Sequence, residues 1–357
     1  MINFIIHKLN IFYQTLNKYT STMDIQLGLC CMNTVLRQQK PPVFSSRKMI
    51  IKSIQEKGID TLKEKIVQNL KDTLTLMDWN EQHGIKVFRL SSELFPHKSN
   101  PKVEDYSFDF AIPYLKEIGR KSKQYGQRLT FHPGQYNVVG TPDEKTFLQT
   151  CEDLKYHADV LDLMELDQHS VIVVHGGGIY GDKEKTIDRW SRQYHRLPLN
   201  VQKRLVIENC EKCFSIKDCL KIAIKVNIPI VFDTHHFACY QQLHPDETFH
   251  PPEFYIKHLL PFWIRRNIKP KCHVSEQGSG RTGHHSDYVE TLPPYLLDIP
   301  SRYNTSIDIM IEAKAKEQAL FHLYKKYPHL NPLTKPVVLT RPGAGWTNAQ
   351  PNCECGC

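Results

Sequence analysis

Residues 204–233 read RLVIENCEKCFSIKDCLKIAIKVNIPIVFD. Two short apolar runs, Arg204–Glu208 and Ile228–Asp233, bracket a segment in which Ser215 caps a helix over Ile216–Val226. Each run is near-continuously apolar, as a strand buried on both faces of a parallel sheet must be. Parallel strands cannot be joined by a tight turn and need a crossover, so the segment is a strand–helix–strand unit.

The same alternation extends in both directions. Further apolar runs occupy Ile25–Cys31, Ile85–Leu90, Arg128–His132, Val171–His175, Lys271–Ser275 and Ile307–Glu312. Helices are expected at Gly58–His83, Asp109–Tyr125, Thr141–Asp167, Pro251–Arg266 and Ala313–Tyr327. The first carries Leu62, Ile66, Leu70, Leu74 and Met77 at three- and four-residue spacing. Eight strands with helical crossovers close a ring, so the predicted fold class is α/β, a single (β/α)8 TIM barrel with short N- and C-terminal extensions. The rival is a doubly wound open sheet, which usually has a glycine-rich phosphate loop after its first strand. Nothing like it follows Cys31.

The chain's 357 residues include 46 Lys+Arg and 38 Asp+Glu, a formal charge of +8, with 40% hydrophobic and 24% charged residues. That balance excludes a disordered or collagen-like chain. No run of about 18 apolar residues is present, which excludes a transmembrane helix. The positive charge alone is a weak pointer to a polyanionic partner. The 11 cysteines are odd in number and follow no repeating framework, and several sit inside apolar runs as small hydrophobes. An intracellular, reduced protein is expected, and no targeting motif indicates a compartment. Residues 1–23 read as an N-terminal extension, with Met23 an alternative start, and 24–328 as the barrel domain. Residues 329–357, ending Cys353-Glu-Cys-Gly-Cys357, are expected to form a flexible tail.

In such a barrel the active site lies at the C-terminal ends of the strands. Strand three ends at His132, strand four at His175 and strand five at Glu208. Strand six ends at Asp233, followed by His235 and His236. Strand seven delivers His273, with His285 in the loop beyond, and strand eight ends at Glu312. One polar residue at a strand end is ordinary. Six consecutive strands delivering imidazoles and carboxylates to one rim would repel or lose hydration unless a cation paired them. Mixed His and carboxylate donors suit Mn²⁺, Zn²⁺ or Fe²⁺, and the set is too large for one ion. Two or three divalent ions are expected, with Glu208 as the bridging carboxylate. Two ions would serve phosphodiester cleavage, but a metal-dependent sugar isomerase could use a similar ring.

Taken together, His132-Pro-Gly-Gln-Tyr136, Val174-His175-Gly-Gly-Gly178, Ile207-Glu208-Asn209, Asp233-Thr-His-His236, Lys271-Cys-His273, His285-Ser-Asp-Tyr288 and Met310-Ile-Glu-Ala-Lys314 resemble the ultraviolet damage endonuclease family from about Gly28 to Glu317. The resemblance implies a metal-dependent DNA repair endonuclease. It would nick immediately 5′ of cyclobutane dimers, 6-4 photoproducts or abasic sites, leaving a 3′-hydroxyl. It carries the metal ligands over to His132, His175, Glu208, Asp233, His236, His273, His285 and Glu312, with manganese the expected ion. Catalysis is assigned to Glu208, Lys271 and His236. Lys271 matches a lysine that can be carboxylated beside the metals, and a phosphate-binding cation is its other reading. Gln135 and Tyr136 match lesion-probing residues that enter the DNA helix, and Asn33 matches a further probing position. Leu29 departs from the family, where a tyrosine commonly stands. The implied partner is damaged double-stranded DNA, bound by a monomer without membrane or nucleotide cofactor. A general abasic-site endonuclease or a sugar isomerase on a related barrel is the alternative enzyme, and a non-cutting damaged-DNA-binding protein the alternative of another class.

Overall fold

Eight parallel strands run β3-β2-β1-β8-β7-β6-β5-β4 in the computed structural model, which describes residues 24–334. They are β1 (Ile25–Cys30), β2 (Val87–Arg89), β3 (Arg128–Thr130), β4 (Ile172–His175), β5 (Leu205–Glu208), β6 (Ile230–Asp233), β7 (Lys271–Val274) and β8 (Ile307–Ile311). A parallel bridge between Phe131 and Ile172 joins β3 to β4 and closes the ring. The extension 1–23 and the cysteines Cys353, Cys355 and Cys357 lie outside the described residues.

Helices fill the crossovers: α1 (Thr34–Arg37), α2 (Ile51–Lys57), α3 (Ile59–Gln82), α4 (Ile112–Tyr125), α5 (Glu144–Leu163), α6 (Lys183–Tyr194) and α7 (Leu199–Arg204). They continue with α8 (Ile216–Val226), α9 (Thr234–Leu243), α10 (Pro252–Arg265), α11 (Pro294–Leu297), α12 (Ile299–Tyr303) and α13 (Glu317–Lys326). All eight expected strands and the long helices are present. The Ser215 cap forms a full capping box with Asp218 at the start of α8. The helix expected over Thr141–Asp167 starts later, at Glu144, because the Asp143 side chain accepts from Thr146 N and caps it there. The residues from Gln135 to Asp143 are thereby left as a free loop. No helix was expected over Lys183–Tyr194 or Thr234–Leu243, yet aspartates at 182 and 233 cap both.

Sheet register sets the rim. His175 pairs with Glu208 across β4 and β5, and Asp233 pairs with His273 across β6 and β7. The polar ends thus lie side by side in two pairs, staggered by two residues where Glu208 faces Val231, above a core of fully buried Val, Ile, Leu and Phe side chains. Leu29 is fully buried beside Ile311, on the face of β1 opposite Gly28, which meets Met310 and Val87, so in this chain the position packs between sheet and helices and faces no substrate.

The loop after β1 is anchored from the far end of the sequence. Asn33 is fully buried and caps α1, its Oδ1 accepting from Leu36 N at 2.8 Å. The buried Glu317 carboxylate accepts from Thr34 N at 2.7 Å, from Val35 N at 3.0 Å and from the Thr34 hydroxyl. Replacing Glu317 with alanine strands these donors and is expected to cost about 1–3 kcal/mol. Urea unfolding measures it, and an unchanged midpoint would contradict this anchoring role.

Candidate metal centre and nucleic-acid rim

Glu208, with no exposed surface, sits at the middle of the rim. Its Oε2 lies 2.8 Å from His132 Nε2 and 3.3 Å from His175 Nε2, and its Oε1 lies 2.9 Å from His273 Nδ1 and 3.6 Å from His236 Nδ1. Three donor groups share atoms within 4.8 Å of one another: His132–Glu208–His273, His175–Glu208–His236 and Asp233–His273–Glu312. Seven of the eight residues expected as ligands are therefore brought together. The eighth, His285, stands at the mouth with Nε2 3.9 Å from Glu312 Oε2 and keeps more of its side chain exposed.

Around this ring the chain supplies its own positioning. Asn209 bridges the ends of β5 and β6 by accepting from Asp233 N and donating to Asp233 O. Its carbonyl also accepts from His236 Nδ1 at 3.0 Å, which fixes that imidazole's tautomer and leaves Nε2 as the nitrogen available to a metal. Asp233 Oδ1 accepts from His236 N at 2.7 Å, so one carboxylate caps α9 and holds the neighbouring histidine in place. Sequence reasoning missed Arg89. It ends β2, is mostly buried, and its guanidinium pairs with Glu312. An inward-facing cation at a strand end was the available signal.

The electrostatics follow from packing charges tightly. Burial opposes ionisation of Glu208, but His273, His132 and His175 around it hold the carboxyl well below the usual range. Burial holds His132 down at about 4 despite Glu208. His236 goes the other way, to about 10, because Asp233 and Glu208 overcome the effect of burial. Asp233 is pushed up to about 6, chiefly by burial. Arg89 and His273 keep Glu312 ionised against burial. Three buried atoms of the ring, His175 Nε2, Asp233 Oδ2 and His273 Nε2, have no hydrogen-bond partner. Orphaned buried polar atoms cost roughly 1–3 kcal/mol each, and cations held in the ring would satisfy them. The donor set is nitrogen and oxygen without thiolate, so it fits a divalent metal.

Lys271 lies below the ring, fully buried, with Nζ donating to Thr130 Oγ1 at 2.8 Å. Burial first, then Arg128 and Arg89, lower its ammonium to about 7. His235 is not part of the ring, since its two nitrogens are taken up by Ser275 and Gln277.

Beside the ring the loop after β3 presents Gln135 and Tyr136, both exposed, the tyrosine at 64%. Tyr136 Oη is tethered to Asp153 Oδ1 at 3.3 Å, and Asn137 Nδ2 donates to Asp153 Oδ2 at 2.8 Å. A Cβ on Gly134 would come within 2.5 Å of the Tyr136 ring, so only glycine lets the ring fold back over the loop. Asn33, by contrast, is held inside as a helix cap. Arg47, in the loop after β1, pairs with Asp72 and reaches the carbonyls of Phe44 and Pro42, fastening its own loop. Lys48 and Lys52 remain exposed there. The basic residues before β7 lie at the opposite end of the barrel, where Lys269 pairs with Asp308.

No helix among the described residues is long and apolar enough to cross a membrane. A sequence model of the UV-endonuclease UvdE family matches residues 25–340. A relative from Acanthamoeba polyphaga mimivirus is 39% identical, covering 85% of this chain and 91% of its own length. The UV-damage endonuclease of Schizosaccharomyces pombe is 37% identical over 86% of this chain, which spans only 51% of that relative's length. Among solved structures, the crystal structure of SacUVDE superposes with a TM-score of 0.73 at 28% identity, covering 86% of this chain and 99% of that one. With the barrel and its rim already in place, the match across nearly the whole described chain makes this protein an enzyme of the UV-endonuclease UvdE family.

Proposed function

We propose that the protein is a metal-dependent endonuclease that nicks DNA immediately 5′ of ultraviolet photoproducts, and of abasic sites, leaving a 3′-hydroxyl. The observation that carries this reading is one rim holding both a buried His–carboxylate ring and an exposed, tethered Gln135–Tyr136 loop. Two or three divalent ions, manganese being the expected one, supply water activation and stabilisation of the leaving oxygen when bound. His132, His175, Glu208, Asp233, His236, His273 and Glu312 would hold them, with His285 at the mouth.

The chain's own residues do the rest. Glu208 is the carboxylate shared between two of the donor groups, so its loss disturbs both. Asn209 and Arg89 fix the orientation of His236 and Glu312 before any substrate arrives. Lys271, lowered to about 7, is partly neutral near physiological pH. The neutral amine is the form that takes up carbon dioxide as a carbamate, and the ammonium is the form that would contact phosphate.

Damage recognition is assigned to Gln135 and Tyr136. A damaged pair stacks and pairs weakly, so extruding it costs less, and an inserted aromatic face replaces part of the lost stacking. Specificity then rests on deformability, independent of base sequence. Tyr136→Ala should reduce the preference for damaged over undamaged duplex by about 5- to 100-fold, the usual worth of one base–aromatic stack. Competition binding with matched duplexes measures it. Loss of metal alongside would make Tyr136 a structural residue and contradict the probing role.

A further inference from the structure

We propose that Ile179 and Tyr180, on the loop after β4, form a second DNA-contacting finger that packs against bases left unpaired opposite the lesion. The proposal rests on the nuclease reading above and adds a contact element to it. Both side chains are apolar and unusually open, 39% and 43% exposed, on the same rim as Tyr136. Isolated exposed apolar residues are ordinary, but these two adjoin the metal ligand His175 and are presented by a backbone that works to keep them out.

Tyr180 has φ +47°, in the left-handed region that a bulky side chain rarely adopts, between Gly177 at +90° and Gly181 at +79°. Such a conformation costs about 1–3 kcal/mol and persists only where the surroundings impose it. Here they do. The Ile179 carbonyl accepts from Asp182 N at 3.1 Å and from Thr186 Oγ1 at 2.8 Å, and Asp182 in turn caps α6 by accepting from Lys185 N. The finger's base is therefore locked to a helix.

The same bracket ties it to the probing loop. Arg189 donates from Nε to the Gly140 carbonyl at 2.7 Å and from Nη2 to Thr186 Oγ1 at 2.9 Å. Its guanidinium lies 5.6 Å from the Tyr180 ring centroid. A Cβ on Gly177 would sit 3.3 Å from the Val138 side chain, so the two loops pack directly. Tyr136 and Tyr180 thus belong to one rigid rim. A lesion joining two adjacent pyrimidines leaves two opposing bases without partners, and Tyr136 supplies one ring. A second aromatic on the adjoining loop supplies the other, and an aromatic face accepts any base.

The test compares wild type, Tyr180→Ala, Tyr180→Phe and Ile179→Ala/Tyr180→Ala on duplexes containing one photodimer or no damage, with 2-aminopurine opposite the lesion. Tyr180→Ala should weaken photodimer binding by about 5- to 100-fold and abolish the change in 2-aminopurine emission that wild type produces. Tyr180→Phe keeps the ring and should retain binding, and the double variant should lose at least as much as Tyr180→Ala. Undamaged-duplex affinity and manganese content of Tyr180→Ala should stay within about twofold of wild type, as for a surface change. Wild-type affinity in Tyr180→Ala, equal losses in the Phe and Ala variants, or lost manganese would each overturn the finger. Absence of damage preference in wild type itself would overturn the nuclease reading first, and with it this one.

Discussion

Glu208→Ala will nick a photodimer-containing duplex at least about 10³-fold more slowly than wild type, since the charge stabilisation lost with the metals is several kcal/mol. The size of the effect comes from position. Glu208 is the only residue shared by the His132 and His175 donor groups, and four imidazoles lie within 3.6 Å of its two oxygens. Removing it leaves a cluster of histidines with no central anion, so protons compete with the metal at every site. The same variant should lose bound manganese by elemental analysis. Near-normal turnover, or full metal content with unchanged affinity, would contradict its bridging role.

Metal loading will be strongly pH-dependent, with affinity rising as pH rises. The sign follows from the protons that must leave. In the metal-free protein His236, raised to about 10 by Asp233 and Glu208 against the effect of burial, carries a proton at neutral pH that metal must displace. Affinity should therefore fall about tenfold for each unit of acidification through neutrality. Below about 6 the fall steepens, because Asp233, raised to about 6 by burial, must then lose a proton as well. Chelation should abolish nicking, and added Mn²⁺ should restore it. Mn²⁺ titrations across this pH range measure the slope, and a flat profile would contradict the ligand assignment of His236 and Asp233.

The barrel was legible because its strands are buried on both faces. Runs such as Leu205–Glu208 and Ile230–Asp233 leave no periodic ambiguity, and each ends on a polar residue at the rim. The clustering of the candidate donors was legible for the same reason, strand ends being fixed by topology. What escaped the sequence depends on contacts distant along the chain. Arg89 gains its meaning only from Glu312, 223 residues away, and Glu317 only from the α1 amides near the other end of the chain. Asp233 was read as the end of a strand, yet it also caps α9, and one carboxyl serving two purposes leaves no separate mark. Arg47 sits in a basic loop segment, but its pairing with Asp72 turns it inward. A charge in a loop says nothing of its partner until the loop is folded.

Incision of an end-labelled duplex carrying one defined cyclobutane dimer, with chelator and then with added Mn²⁺, tests the central claim most directly. A metal-ion ring beside a damage-probing rim predicts a single nick immediately 5′ of the dimer, a 3′-hydroxyl at the break, and cutting only when Mn²⁺ is present. No nick under either condition, or equal cutting of the undamaged duplex, would contradict it.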